Sequence, residues 1–255
     1  NLATLYLYTG QTDKSIEFSL ETINNPELSS FPKTEMKIYN ILGQGYYFKN
    51  DYPSTYTQFL HTLAIAEKNS DQFHLFRMNM NLGTIFSRLE DNEEALKYYA
   101  VAFKHVKNLK DPTKEAMMLS NMAFLNIELG NLNQAKIELD ETLALLDKNK
   151  QTTWLAWTFS TLGLYYLTLN DFDNALVNYQ KSLDMHDEFN DVKAKADIKY
   201  GLGRSYLGLN NLVKAEANIN ESVMLYASSD YDTGLEKAYR TLYEISKSKD
   251  DVAES

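Results

Sequence analysis

The sequence predicts an all-α chain built from one helical hairpin repeated about six to seven times, and three observations carry that reading. An apolar ladder recurs every 40 residues, from Leu2 through Leu42, Leu82, Met122, Leu162 and Leu202 to Leu242. Six consecutive steps without insertion or deletion are the mark of a repeat architecture. Within one unit, Leu155, Phe159, Leu162, Gly163 and Tyr166 fall at spacings of three and four, the face of a helix. Four Pro and ten Gly in 255 residues, with no Ser/Pro/Gly-rich stretch, leave helices uninterrupted and mark no linker. Eighteen Tyr and twelve Phe supply bulk for a core.

The elements of the unit follow in order. Its first helix carries the ladder and, one residue on, a small column: Ala3, Gly43, Gly83, Ala123, Gly163 and Gly203, ending at Tyr243. A side chain that small lets a second helix approach closely. An aromatic column follows, Tyr6, Tyr46, Phe86, Tyr166 and Tyr206, broken by Asn126 and Ser246. The turn column Gly10, Asn50, Glu90, Gly130, Asn170, Asn210 and Asp250 is rich in residues that tolerate the left-handed backbone ending a helix. Asp51, Asp91, Asn131, Asp171 and Asn211 come next, each suited to cap the second helix. That helix holds a small column at Ser15, Thr55, Ala95, Ala135, Ala175, Ala215 and Ser255, and another at Thr22, Thr62, Ala102, Thr142, Ser182 and Ser222. The following unit opens at Asp71, Asp111 and Asp191, with Pro112 placed for a first helical turn.

Composition narrows the function classes. A formal charge of −10 argues against nucleic-acid binding, which needs a basic face, and against direct contact with an anionic membrane surface. The absence of Cys removes disulfides, thiolate metal sites and Cys nucleophiles. No run approaches the length of a membrane span, and no signal segment is present. The chain opens at Asn1 inside an expected helix. The expectation is therefore a single solenoid domain over 1–255, excerpted from a longer polypeptide with its first and last repeats truncated.

Small–large alternation on two helices joined by a short turn resembles the tetratricopeptide repeat. The stretches LGTIFSRLEDNEEALKYYAVAF (82–103), LGLYYLTLNDFDNALVNYQKSL (162–183) and LGRSYLGLNNLVKAEANINESV (202–223) carry its pattern, while Thr55 and Asn126 depart from it. The resemblance implies a right-handed α-α superhelical solenoid whose first helices line a concave face. The 40-residue period is similar to the long repeats of bacterial signalling members, sensor regions preceding histidine-kinase or diguanylate-cyclase outputs, and peptide-pheromone receptors. It implies a peptide or protein ligand in the groove, no cofactor, and an extracytoplasmic sensor region in preference to a cytoplasmic one. A cytoplasmic pheromone-receptor-like regulator and a plain assembly scaffold stand as the alternatives.

No constellation in the chain carries catalysis. His61, His74, His105 and His186 have no metal-ligand spacing, no nucleophile or phosphate-loop motif occurs, and Glu93 and Glu94 suit the dipole at a helix start. The candidate site is instead the stripe of the first helices opposite the ladder. Arg77, Asn81, Arg88, Asn121, Phe124, Trp157, Tyr200 and Arg204 lie on it. The same stripe includes Lys37, Asn40, Ser120, Ile127, Thr161, Leu167 and Leu207. A carboxamide donates and accepts at once, matching the edge of an extended peptide. In peptide-binding members of the resembled family Asn at the position of Asn81 and Asn121 holds the ligand backbone. Arg77, Arg88 and Arg204 suit a carboxylate, and Phe124, Trp157 and Tyr200 an apolar anchor.

Overall fold

Helix after helix follows the 40-residue ladder. The computed structural model describes residues 2–149, 152–186, 191–229 and 232–253, among which there are thirteen α-helices and no strand. They are α1 (Leu2–Tyr8), α2 (Thr12–Ile23), α3 (Pro32–Phe48), α4 (Tyr52–Lys68), α5 (Gln72–Arg88), α6 (Asn92–Leu109), α7 (Pro112–Glu128), α8 (Leu132–Asn149), α9 (Thr152–Thr168), α10 (Phe172–His186), α11 (Val192–Gly208), α12 (Leu212–Ser228) and α13 (Asp232–Ala253). A 3₁₀ turn, Pro26–Ser30, precedes α3. Odd-numbered helices are the first members of hairpins and even-numbered ones the second. The helices gather into two compact units, 1–118 and 119–255, with the boundary inside α7.

Each hairpin turn is one motif. Gly10, Asn50, Glu90, Gly130, Asn170 and Asn210 all take positive φ, between 56° and 77°. The next amide reaches back five residues: Asp51 N to Tyr46 O at 3.0 Å, Asp171 N to Tyr166 O at 2.9 Å. The turn residue itself bonds to the residue between, as Asn50 N does to Tyr47 O. This Schellman geometry satisfies the carbonyls a helix end leaves bare. Asp51, Asp91, Asp171 and Asn211 then accept the backbone N–H three residues on, at 3.1–3.3 Å. Asn131 does not cap in this way; its Nδ2 donates to Asn126 Oδ1. Asp71, Asp111 and Asp191 cap the first helices of the following units as the ladder predicts. One turn is not made: α13 runs through Asp250, where the column predicts a break. Ser255 lies outside the described residues.

In the first unit α1 pairs with α2, α3 with α4 and α5 with α6, and α2 also packs on α3 and α4 on α5. Its core centres on Phe59, Met78, Leu82 and Ile85, with Tyr47, Tyr52, Tyr56 and Tyr98 at its edge. The phenyl ring of Phe86 stacks on Tyr98 with centroids 5.3 Å apart. Thr55 takes the place of Ala because its hydroxyl is satisfied within the helix, donating to Asp51 O at 2.7 Å.

In the second unit α9 pairs with α10 and α11 with α12, and α13 closes on α12. The small column works as a close-approach surface. A Cβ added at Gly163 would lie 2.6 Å from the Tyr179 ring, and one at Gly201 only 2.2 Å from it. Tyr179 of α10 is thus held between two first helices. The Ser182 hydroxyl donates to Ala156 O at 2.7 Å, tying α10 to α9. Asn126, where an aromatic residue is expected, is buried and donates to the buried Glu138 carboxylate at 2.9 Å. The positions 86 and 98 that stack in the first unit correspond to 126 and 138, so one repeat replaces an aromatic pair by a hydrogen-bonded one.

Candidate functional site

A first helix buries its ladder against its partner and leaves its opposite stripe toward solvent, so the stripe is the surface available to a ligand. That stripe is narrower than the sequence suggests. Asn40, Ser120, Ile127 and Thr161 are buried, because successive first helices touch, as α1 with α3 and α9 with α11.

In the first unit α3 and α5 present Lys37, Arg77, Asn81 and Arg88. Arg77 and Asn81 are half-buried, and neither side chain has a hydrogen-bond or ion-pair partner among the described residues. Arg88 is exposed, its guanidinium 5.1 Å from the centroid of the Tyr47 ring. Tyr47 meets Phe48 and Tyr52 edge-on at 6.2 and 6.1 Å, and Phe48 is 64% exposed. Burial pushes the Tyr47 phenol up, and the Arg88 charge partly opposes that. The result is a cationic and aromatic face with one unengaged carboxamide.

In the second unit the stripe reads Asn121, Phe124, Trp157, Tyr200 and Arg204. Asn121 is half-buried and its carboxamide, too, has no partner among the described residues. Phe124 and Trp157 are 41% and 37% exposed, far more than core aromatics of this unit such as Tyr179 at 4%. Tyr200 lies against the core cluster of α11, α12 and α13, its hydroxyl 3.4 Å from Thr241 Oγ1. Arg204 pairs with Glu244 of α13 at 2.9 Å. Beside it a cavity of about 400 Å³ is lined by Leu167, Thr168, Asn170, Phe172, Arg204, Leu207 and Gly208. Sequence reasoning missed Glu244, although Arg204 and Glu244 stand one 40-residue step apart with opposite charge. It also missed Phe172 and Gly208, whose contact joins a second helix to the following first helix.

The histidines are structural where their side chains are described. His61 stacks on Tyr39 at 4.9 Å. His74 Nδ1 lies 3.0 Å from Asp71 Oδ2. His105 faces Gln72 at 2.9 Å, and burial draws its pKa below the usual value. The His186 side chain lies outside the described residues. Among the described residues no three His, Asp or Glu side chains are placed to hold a metal ion, and no helix is long and apolar enough to cross a membrane.

Helical hairpins in one register, presenting polar and aromatic side chains from their first helices, define a helical-repeat interaction protein. The repeat is the tetratricopeptide type: models described as tetratricopeptide repeat match residues 114–188 and 76–103. No curated protein matches by sequence. Among solved structures the chain is similar to a signal transduction ATPase with numerous domains that carries a tetratricopeptide repeat sensor, from Pyrococcus horikoshii. That match has 20% identity and a TM-score of 0.75, over 97% of this chain and 38% of that one. It is similar to the apo form of RapI at 15% identity and a TM-score of 0.69, over 95% and 82% of the two chains. It is also similar to a Rap protein complexed with Competence and Sporulation Factor, at 14% identity and a TM-score of 0.63, over 96% and 73%. At these identities the likeness is one of fold, a solenoid of tetratricopeptide-like hairpins. The repeat region is a non-catalytic protein-interaction fold.

Proposed function

We propose that this region binds an extended peptide or protein segment on the solvent-facing stripe of its first helices, as the sensing or interaction region of a bacterial signalling protein. The observation that carries this reading is the state of Asn81 and Asn121. Each is a half-buried carboxamide with no partner among the described residues. Thr4 Oγ1 is the only buried side-chain polar atom without a partner among the described residues, so both carboxamides reach solvent, and a ligand backbone can take the place of water there, donating and accepting together. Around Asn81 the unengaged Arg77 and the exposed Arg88 favour an acidic group, whereas around Asn121 the exposed Phe124 and Trp157 favour an apolar one. The Pyrococcus protein whose repeats are named a sensor supports a place upstream of an output domain, here a diguanylate cyclase or histidine kinase. The Rap protein complexed with Competence and Sporulation Factor favours a second reading, a regulator of the pheromone-receptor kind.

The test is calorimetry with peptides selected by display on the purified chain. Asn121→Ala weakens the peptides held by the second unit and Arg88→Ala those held by the first, each by about 1–2 kcal/mol, roughly five- to thirtyfold, with the far-ultraviolet circular dichroism unchanged. Selected peptides that bind both variants with full affinity contradict the assignment.

A further inference from the structure

The second helices share one exposed position at the same step of the 40-residue period, and its character changes along the chain. The column reads Glu17, Thr57 and Lys97 on α2, α4 and α6, then Ile137, Val177 and Ala217 on α8, α10 and α12. All of these residues are exposed, Ile137 to 53% and Val177 to 50%. An exposed apolar residue standing singly is ordinary. Apolar residues at one register position on successive second helices of the second unit instead form a row. On α12 the row widens, with Val213 76% exposed one turn before Ala217 and Met224 64% exposed two turns after it.

Charge around the middle of the row selects what covers it. Asp173 stands one turn before Val177 and Lys181 one turn after, on the same side of α10. Both are exposed, and neither has an ion-pair partner among the described residues. Lys181 lies over the Phe159 ring, 5.3 Å from its centroid. Two helical turns, about 12 Å, separate the two charges along the axis, too far for them to pair with each other. Acid, apolar residue and base in that order form a pattern complementary to itself turned end for end. Two copies related by a two-fold axis through Val177 and across α10 set Asp173 of each against Lys181 of the other, so one contact makes the pair twice. The row follows, Ile137 meeting its own counterpart and Ala217 its own. A two-fold running along the helices instead sets Asp173 against Asp173 and Lys181 against Lys181, which repel.

We infer that the outer face of α8, α10 and α12 is covered by a second copy of this chain, antiparallel about Val177, with Asp173 and Lys181 of opposite copies flanking an apolar centre. Side chains this short bury little area, which places the dimer in the weak class below about 1,200 Å². The dimer covers second helices only and leaves the stripe of the first helices open, so it stands whether or not that stripe binds peptide.

Sedimentation velocity of the whole chain between about 1 μM and about 1 mM tests this. The parent chain shows a dimer that grows with concentration, and V177E weakens it about tenfold or more by facing two carboxylates across the axis. D173K and K181D each weaken it by about tenfold, because each sets like charges together. Mixed in equal amounts, those two variants form a mixed dimer as tight as the parent's, since every facing pair is then opposite in sign. The double variant D173K/K181D recovers the parent affinity for the same reason. Recovery on mixing cannot come from damage to either fold. A chain that stays monomeric to about 1 mM overturns the dimer. Association unmoved by V177E and by both charge variants overturns the face. Association weakened as much by K97E, at the same column position in the first unit, overturns its confinement to the second. Charge variants that weaken association without recovery on mixing overturn the antiparallel arrangement.

Discussion

Gly163→Ala places a methyl group where two opposing effects can be weighed. Alanine in a helix interior is favoured over glycine by about 1 kcal/mol, so at an open position the substitution stabilises. At Gly163 the added Cβ would lie 2.6 Å from Cδ1 of Tyr179 and 2.7 Å from Cε1 and Cγ. The ring cannot move away, because Gly201 of the next first helix bounds its other side, with a Cβ there 2.2 Å from the ring. Overpacking of a close-packed core costs typically 1–3 kcal/mol, which exceeds or cancels the propensity gain and leaves a net loss of up to about 2 kcal/mol. For a chain of this length that is roughly 2–4 °C of melting temperature per kcal/mol, read by circular dichroism. Gly163→Val, with its branch at Cβ, lowers it further. Tyr179→Leu removes the ring, and Gly163→Ala made in that background recovers part of its helix-propensity gain, giving a coupling of about 1–2 kcal/mol between the two sites. A Gly163→Ala protein that melts higher than the parent, or a coupling near zero, refutes the close approach and with it the role given to the small column.

Other sites give sharper signs. Glu138 is 2% exposed, and burial raises its pKa above the usual carboxylate value while hydrogen bonds from Gln134 and Asn126 partly oppose this. Its folded pKa therefore exceeds its unfolded one, so stability is greatest below the unfolded value and falls as pH rises through the folded one. Glu138→Gln raises the melting temperature at pH 8 and not at pH 4; the same gain at both pH values contradicts the assignment. Glu90 holds φ at 61° without being glycine, so Glu90→Gly stabilises by about 1 kcal/mol whereas Gly130→Ala, at φ 77°, destabilises by a similar amount. Urea titration of both checks the pair, and a loss in Glu90→Gly refutes the strain. Asp191→Ala removes the carboxylate that accepts from Ala194 N at 3.0 Å and costs about 1 kcal/mol, which Asp191→Asn largely spares; equal melts for both variants would show the cap to be idle.

Much of the fold was legible because a 40-residue period repeats the same packing problem and the same answers. Glu90 shows how this works: glutamate is a poor turn residue, yet its column with Gly10, Asn50 and Asn210 places it in the left-handed region, where it lies. Asp250 shows the limit, since α13 continues through it although its column predicts a turn. Ser70 and Lys110 also take positive φ, 40 residues apart, and went unread because neither is a residue type that favours it. Asn126 was legible as a departure but not as a partner of Glu138, since the bond spans two helices. The stripe of candidate residues was legible as a surface, and Arg77, Asn81 and Asn121 stand unengaged on it. The cavity was not, because it depends on what Gly208 omits and on how near Phe172 comes.

The central claim is that ligands meet the first helices and not the second. Backbone NMR shifts on titrating a display-selected peptide test it most directly. The account predicts changes concentrated at Asn121, Phe124 and Trp157 in the second unit or at Arg77, Asn81 and Arg88 in the first. Changes concentrated instead at Ile137 and Val177, exposed on second helices α8 and α10, would contradict it.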